Sequence, residues 1–254
     1  MLQLSVHQII LAILRNQAHR FRVPRRGGHR TTTWSPEQRE KHSKEIFESL
    51  VPYVGSIVAK VGLEVGPGDN LDVCNQFLQA GCKRMYAVEK YSRIASVSDG
   101  KIVAINSNIE GFIISEKIDF AYSNDVLEHV DDVLKTMESV YACLKPGGRF
   151  ASSIDLRGHN VFNLPNRPLD FLSCPDWLWK LMFSHIATTN RVRGLELVAA
   201  AKKAGFAVVH ALPLADASET YLAQIRPHFC ARYRQLPEID LRVLQLLLVL
   251  ERLA

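Results

Sequence analysis

From Val61 to Ile154 short apolar runs alternate with segments of helical periodicity, and this alternation constrains the fold more than any other feature of the chain. The runs are Val61 to Val65, Met85 to Val88 ending in Glu89, Ile102 to Ile105, Ile118 to Ser123 and Phe150 to Ile154. Each is of strand length and is bounded by Gly, Pro or polar residues. A helix is predicted from about Leu71 to Ala80, with Gly81 as its stop, and another from about Asp131 to Cys143, which Lys145-Pro146-Gly147-Gly148 ends and turns. Strands joined through helices by short connections run parallel and need cover on both faces, so the pattern predicts a doubly wound α/β domain.

The flanks extend this reading. Ser35-Pro36-Glu37-Gln38 is a capping box with Pro at the first helical position, and the helix it opens carries Ile46, Phe47, Leu50, Val51 and Val54 on one stripe. Residues 155–192 break the rhythm, being rich in Asn and Pro and holding Phe162, Phe171, Trp177, Trp179 and Phe183. A long segment after a strand's carboxyl end, where open α/β sheets bind ligands, is expected to be a substrate lid. A helix from Leu195 to Ala204 stopped by Gly205, and strands near Ala207 to Ala211 and Val243 to Leu250, close the chain. The expected organisation is therefore a basic arm over 1–34, then one domain over 35–254 with the lid at 155–192.

With 47% hydrophobic residues in 254 the chain can bury a substantial core, which excludes disorder as its main state. No apolar run approaches the roughly 18 residues of a membrane-spanning helix. Five scattered cysteines (Cys74, Cys82, Cys143, Cys174, Cys230) form no Cys-x-x-Cys pair, so reduced thiols and a cytoplasmic location are expected. The net charge of +5 is local, because residues 1–34 hold six arginines (Arg15, Arg20, Arg22, Arg25, Arg26, Arg30) and no Asp, Glu or Lys. The nearly neutral body speaks against nucleic acid as a partner. Val6, Ile9, Ile10 and Ile13 stand at helical spacing ahead of a Pro24-Arg25-Arg26-Gly27-Gly28 break. Three readings fit this arm: a packing element, a peripheral membrane helix, or an acid-poor targeting peptide.

The chemistry concentrates at strand ends. Glu64-Val65-Gly66-Pro67-Gly68-Asp69 lies between a strand and a helix, where glycines let the backbone approach a ligand at the helix N-terminus. Glu89 follows Gly66 by 23 residues, at the end of the next strand, suitably placed to accept from both hydroxyls of a ribose. These residues indicate a nucleoside-bearing cofactor, either a dinucleotide or S-adenosylmethionine. Leu71 stands where the dinucleotide fingerprint wants its third glycine, which disfavours a pyrophosphate.

With Asn108-Ile109-Glu110, Ser123-Asn124-Asp125-Val126-Leu127-Glu128-His129-Val130 and Leu144-Lys145-Pro146-Gly147-Gly148 added, the set resembles the class I S-adenosylmethionine-dependent methyltransferases, specifically the type 11-like small-molecule group. The likeness is good over roughly residues 60–154. It implies a mostly parallel, seven-stranded Rossmann-like sheet with helices on both faces, and S-adenosyl-L-methionine as cofactor. It implies further that Glu64, Gly66 and Gly68 line the methionine half and Glu89 holds the ribose. Asn108 and Ile109 would meet adenine, with Asn in place of the family's usual Asp, and Asn124 and Asp125 would approach the methionine ammonium. Asn70 replaces a third loop glycine and can tolerate a left-handed backbone or cap the helix.

The sulfonium is already an activated donor, so the protein must align a nucleophile and exclude water. His129 and His159 would face one crevice, with Asp155 placed to orient His159 or bind substrate, and these three are the candidate catalytic residues for an O- or N-methylation. His42, His185, His210 and His228 have no such placement. Arg191 and Arg193 could pair with an anionic acceptor. No His, Cys and carboxylate set has metal-ligand spacing, so no metal is expected. The expected partner is a small-molecule methyl acceptor. The competing readings are a methyltransferase-like scaffold without turnover, a Rossmann oxidoreductase disfavoured by the loop, and a methyltransferase acting on protein or RNA.

Overall fold

The computed structural model describes residues 6–21 (side chains to 14), 33–91, 94, 100–159, 162–164, 166–182 and 189–253. Arg22, Arg25, Arg26, Arg30, the break at 24–28, Phe183 and His185 lie outside them. Strands β1 (Val61–Val65), β2 (Arg84–Glu89), β3 (Ile102–Asn106), β4 (Ile118–Asn124), β5 (Leu144–Asp155), β6 (Phe206–Asp216) and β7 (Val243–Arg252) form one sheet in the order β3-β2-β1-β4-β5-β7-β6. The first five run parallel, and β7 enters antiparallel between β5 and β6. This is the doubly wound, mostly parallel, seven-stranded architecture that the alternation and the family resemblance implied.

Helices α2 (Pro36–Val54) and α3 (Asp72–Gln79) cover one face, and α4 (Val133–Cys143) and α6 (Gly194–Lys203) cover the other. Alternation along the strands feeds both layers: Leu63, Val65, Val88, Leu248 and Leu250 pack towards α4 and α6, while Met85, Ala87, Tyr122, Leu247 and Val249 pack towards α2 and α3. The capping box at Ser35 forms as expected, with both reciprocal hydrogen bonds present. Phe77 of α3 anchors its layer, stacked on Tyr122 at 4.5 Å and Phe120 at 5.3 Å with Phe47 edge-on at 4.8 Å.

The structure corrects the expected turn at Lys145-Pro146-Gly147-Gly148. Helix α4 stops at Cys143, and Leu144 already pairs with Ile118, so the four residues form a bulge inside β5, between the Ile118–Leu144 and Phe120–Arg149 pairs. The segment after β5 also holds more structure than a loop, including α5 (Asp176–Met182). Between β6 and β7 lie three short helices that no periodicity announced: α7 (Glu219–Ile225), α8 (Ala231–Arg234) and α9 (Glu238–Leu241).

These pieces share a third core. Phe162, Leu169, Phe171, Leu172, Trp179 and Met182 pack with Leu222, Ile225, Phe229, Tyr233 and Leu241, and α1 (Val6–Phe21) joins them through Ile9, Ala12 and Ile13. Val6, Ile10, Leu11 and Leu14 stay exposed on α1, as do Trp177 and Leu181 on α5. No helix among the described residues is long and apolar enough to cross a membrane.

Phe77→Ala should lower stability by about 3–5 kcal/mol, because the three flanking rings cannot close the void. Urea unfolding midpoints measure this, and a loss below about 1 kcal/mol would contradict the packing described.

Candidate active site

Strand order reverses between β1 and β4, so the connections leaving these two strands run to opposite faces and leave a crevice at their carboxyl ends. A cleft of about 630 Å³ occupies that place, within the usual span of small-molecule sites. Its lining includes Glu64, Gly66, Gly68, Glu89, Ile109, Asn124, Asp125, His129 and His159, brought together from five strand ends and the segments that follow them.

The loop after β1 is shaped by its glycines. Gly66 and Gly68 both sit at φ +74°; a Cβ on Gly66 would strike the Val126 side chain at 2.6 Å, and one on Gly68 would project into open space. Glu89 ties this loop to β2, its carboxylate accepting from Gly68 N at 3.1 Å and from Tyr91 N at 2.7 Å. Asn70 does not take a left-handed backbone, and its side-chain oxygen accepts from Asp72 N at 2.8 Å. Asn108 is exposed and absent from the cleft lining, its amide oxygen accepting from Glu110 N. Ile109 beside it is buried and reaches the cleft.

The far side of the cleft carries the ionisable groups. Asp125 takes φ +53° after β4, held by a hydrogen bond from its N to Ser153 O at 2.9 Å. His129 and His159 meet with ring centroids 4.9 Å apart, and His159 Nε2 lies 3.3 Å from Asp155 Oδ2. Asp155 stands behind His159 and also accepts two hydrogen bonds from the Arg157 guanidinium. Burial alone would push the Asp155 carboxyl up, but the donors on His159 and Arg157 hold it well below the usual carboxylate range.

A methyltransferase-domain family model matches residues 17–211. The chain belongs to the methyltransferase-domain family. Among solved structures, this methyltransferase resembles an S-adenosylmethionine-dependent methyltransferase from Mesorhizobium loti at 15% identity and TM-score 0.51, covering 81% of this chain and 96% of that one. It also resembles phosphoethanolamine N-methyltransferase 2 of Haemonchus contortus, solved with S-adenosyl-L-methionine, at 12% identity and TM-score 0.54, covering 83% of this chain and 53% of that one. A geranyl diphosphate methyltransferase solved with its diphosphate and sinefungin matches at 14% identity and TM-score 0.53, covering 83% and 79%. At these identities the structural likeness is one of fold. No curated protein matches the sequence. The cofactor is S-adenosyl-L-methionine, and the open space at Gly68 beside the Glu89 carboxylate suits a nucleoside-bearing group.

Several residues of the methyltransferase depart from expectation. His42, which has no motif around it, lines the cleft with Arg39, Ser43 and Ile46, because α2 packs across its mouth. Arg39 is fixed there by two hydrogen bonds to Asp72, at 2.7 and 2.8 Å. Lys90 also lines the cleft, bridging Glu110 and Asp131. Arg191 and Arg193 are not available to an anionic acceptor. Arg191 is buried between the rings of Trp179 and Tyr233 and pairs with Asp176, and Arg193 is fully buried, donating to the carbonyls of Leu156, Leu241 and Val243. Asn190 between them and α5 was missed altogether: its amide donates to Leu127 O at 2.7 Å and Val130 O at 3.1 Å, clamping the loop that carries Glu128 and His129.

Glu64 is buried beneath the glycine loop and accepts a hydrogen bond from the Cys74 thiol at 2.9 Å. Burial pushes its carboxyl up to about 7, against the smaller lowering effect of its hydrogen bonds. Between about pH 4.5 and 7 the folded chain therefore keeps a proton that the unfolded chain has released, so stability from this group falls as pH rises through that window. From pH 5 to 7.5 the unliganded wild type should lose roughly 2–3 kcal/mol more than Glu64→Gln, read from urea unfolding. Identical pH slopes in the two proteins would mean that Glu64 is already ionised in the fold.

Proposed function

We propose that this chain is an active enzyme that transfers the methyl group of S-adenosyl-L-methionine to an oxygen or nitrogen of a small organic acceptor. The observation that carries this reading is the single cleft that holds the Gly66–Gly68 loop and Glu89 on one side and the His129–His159 pair on the other. Glu64, Gly66 and Gly68 would hold the methionine half of the cofactor, Glu89 the ribose, Ile109 the adenine, with Asn108 outside the cleft shaping the turn before it, and Asn124 and Asp125 the methionine ammonium. The cofactor supplies a methyl group on a sulfonium, already activated for displacement.

The acceptor then occupies the space next to His129 and His159. The two imidazoles act on its proton-bearing atom, and Asp155 positions His159. In this reading residues 1–34 form the arm, 35–254 the methyltransferase domain, and 155–192 the lid that excludes water above the acceptor. Its five cysteines are free thiols, which suits a cytoplasmic enzyme.

The arm gives this enzyme a partner surface. Helix α1 uses Ile9, Ala12 and Ile13 to pack and leaves Val6, Ile10, Leu11 and Leu14 exposed, in a segment of six arginines and no acidic residue. An exposed apolar row within a purely cationic segment fits peripheral contact with an anionic lipid surface.

Calorimetry should find saturable binding of S-adenosylmethionine and S-adenosylhomocysteine, weakened at least tenfold in Glu89→Ala. Folded wild type that binds neither would sink the enzyme reading. With an acceptor found by screening, His129→Ala and His159→Ala should each lower kcat by about 10²-fold or more at saturating cofactor, and wild-type turnover in both would remove the imidazoles from the chemistry. The intact protein should sediment with vesicles rich in phosphatidylglycerol, and the double variant Ile10→Ser, Leu14→Ser should not. Equal recovery of both proteins in the supernatant would exclude the lipid contact.

A further inference from the structure

Glu128, His129 and His159 each offer a ligand atom within 4.8 Å of the other two. Glu128 is 2% exposed. Its Oε1 accepts from Asp155 N at 3.3 Å, whereas its Oε2 is buried with no hydrogen-bond partner. A carboxyl oxygen left in that state is costly to ionise, and a cation beside it would remove the cost. The surroundings are short of positive charge. Asp125, Glu128 and Asp155 converge here, the Arg157 guanidinium is engaged by Asp155, and neither Asp125 nor Glu128 has an ion pair among the described residues.

We propose that Glu128, His129 and His159 bind a divalent first-row transition-metal cation on the acceptor side of the cleft. The ligand chemistry selects the class: two imidazole nitrogens and one carboxylate suit Zn²⁺, Mn²⁺, Fe²⁺, Co²⁺ or Ni²⁺ better than the all-oxygen preference of Mg²⁺ or Ca²⁺. Asp155 supplies the outer support such a site needs. By accepting from His159 Nε2 it fixes the tautomer whose lone pair lies on Nδ1, in the manner of a carboxylate behind a metal-bound imidazole. Glu128 lies beneath the cleft floor while both imidazoles line it, so a cation held by the three keeps an open position towards the cleft. A hydroxyl or water entering that position would be made more acidic by the cation.

This inference rests on the acceptor side proposed above and specifies how the imidazoles act there: through a cation, on an oxygen-bearing acceptor. Sequence spacing could not reveal it, because Glu128 and His129 follow β4 whereas His159 follows β5, and only the β4–β5 pairing brings them together.

The test uses untagged full-length protein stripped with a chelator, titrated with Zn²⁺ by calorimetry and with Co²⁺ by visible absorption, alongside S-adenosylhomocysteine binding in the same samples. One equivalent of each cation should bind, with ligand-field bands for Co²⁺. Affinity should fall at least tenfold in His159→Ala and in Glu128→Gln, and stay unchanged in His210→Ala, whose histidine is exposed on β6. His159→Gln, closer in size and polarity, replaces the alanine variant if that protein loses homocysteine-nucleoside binding. Stoichiometric cation binding that is equal in wild type and the site variants, or no such binding by protein that still takes up S-adenosylhomocysteine, overturns the cation site and leaves the methyltransferase reading standing. Cation binding by folded protein that never binds S-adenosylhomocysteine keeps the site and overturns that reading instead.

Discussion

A parallel strand needs a crossover to reach its neighbour, and the direction of that crossover decides which face receives the helix. Here the chain builds β1, β2 and β3 outward in one direction and then returns to place β4 on the other side of β1. The glycine loop after β1 and the loop after β4 therefore diverge, and nothing in the sheet fills the gap between them. The candidate site residues are arranged around that gap: the loop glycines and Glu89 on the β1 and β2 side, and Asp125, His129 and His159 on the β4 and β5 side.

Helix α2 lies across the cleft, and a separate packing unit is made from parts far apart in sequence. The segment after β5, the helices between β6 and β7, and α1 bury their apolar side chains in one another, away from the two cores of the sheet. Two polar residues tie this unit to the sheet and to the loop after β4. Arg193 spans from the end of β5 to the start of β7 through backbone carbonyls, and Asn190 holds the turn that presents Glu128 and His129. The two terminal nitrogens of this fully buried guanidinium donate to carbonyls while its Nε has no partner, so its place depends on those backbone positions staying where they are.

Strands β1 to β5 and helices α2, α3, α4 and α6 were legible because their apolar periodicity is long enough and their ends carry Ser, Pro or Gly signals. Helices α7 to α9 were not, since each spans two turns or fewer and depends on the third core rather than on its own pattern. In the site, Glu64, Gly66, Gly68, Glu89 and Asp125 could be located from strand ends and loop composition. His42 and Asn190 carried no local signal: one reaches the cleft because α2 lies across it, and the other matters through carbonyls some sixty residues earlier. Arg191 and Arg193 misled for the opposite reason, because charge in a sequence reads as exposure until packing is known.

The sequence by itself determined the layer architecture and which strand ends carry the glycine loop and Glu89, because period, turn residues and strand-end chemistry are local properties that survive without knowledge of the fold. Tertiary structure alone decided that His42 joins His129 and His159 in lining the cleft, that Arg191 and Arg193 are structural, and that a buried carboxyl sits under two imidazoles from different strands. Those outcomes depend on strand register and on which surfaces exclude water, and neither quantity is written in the spacing of residues along one chain.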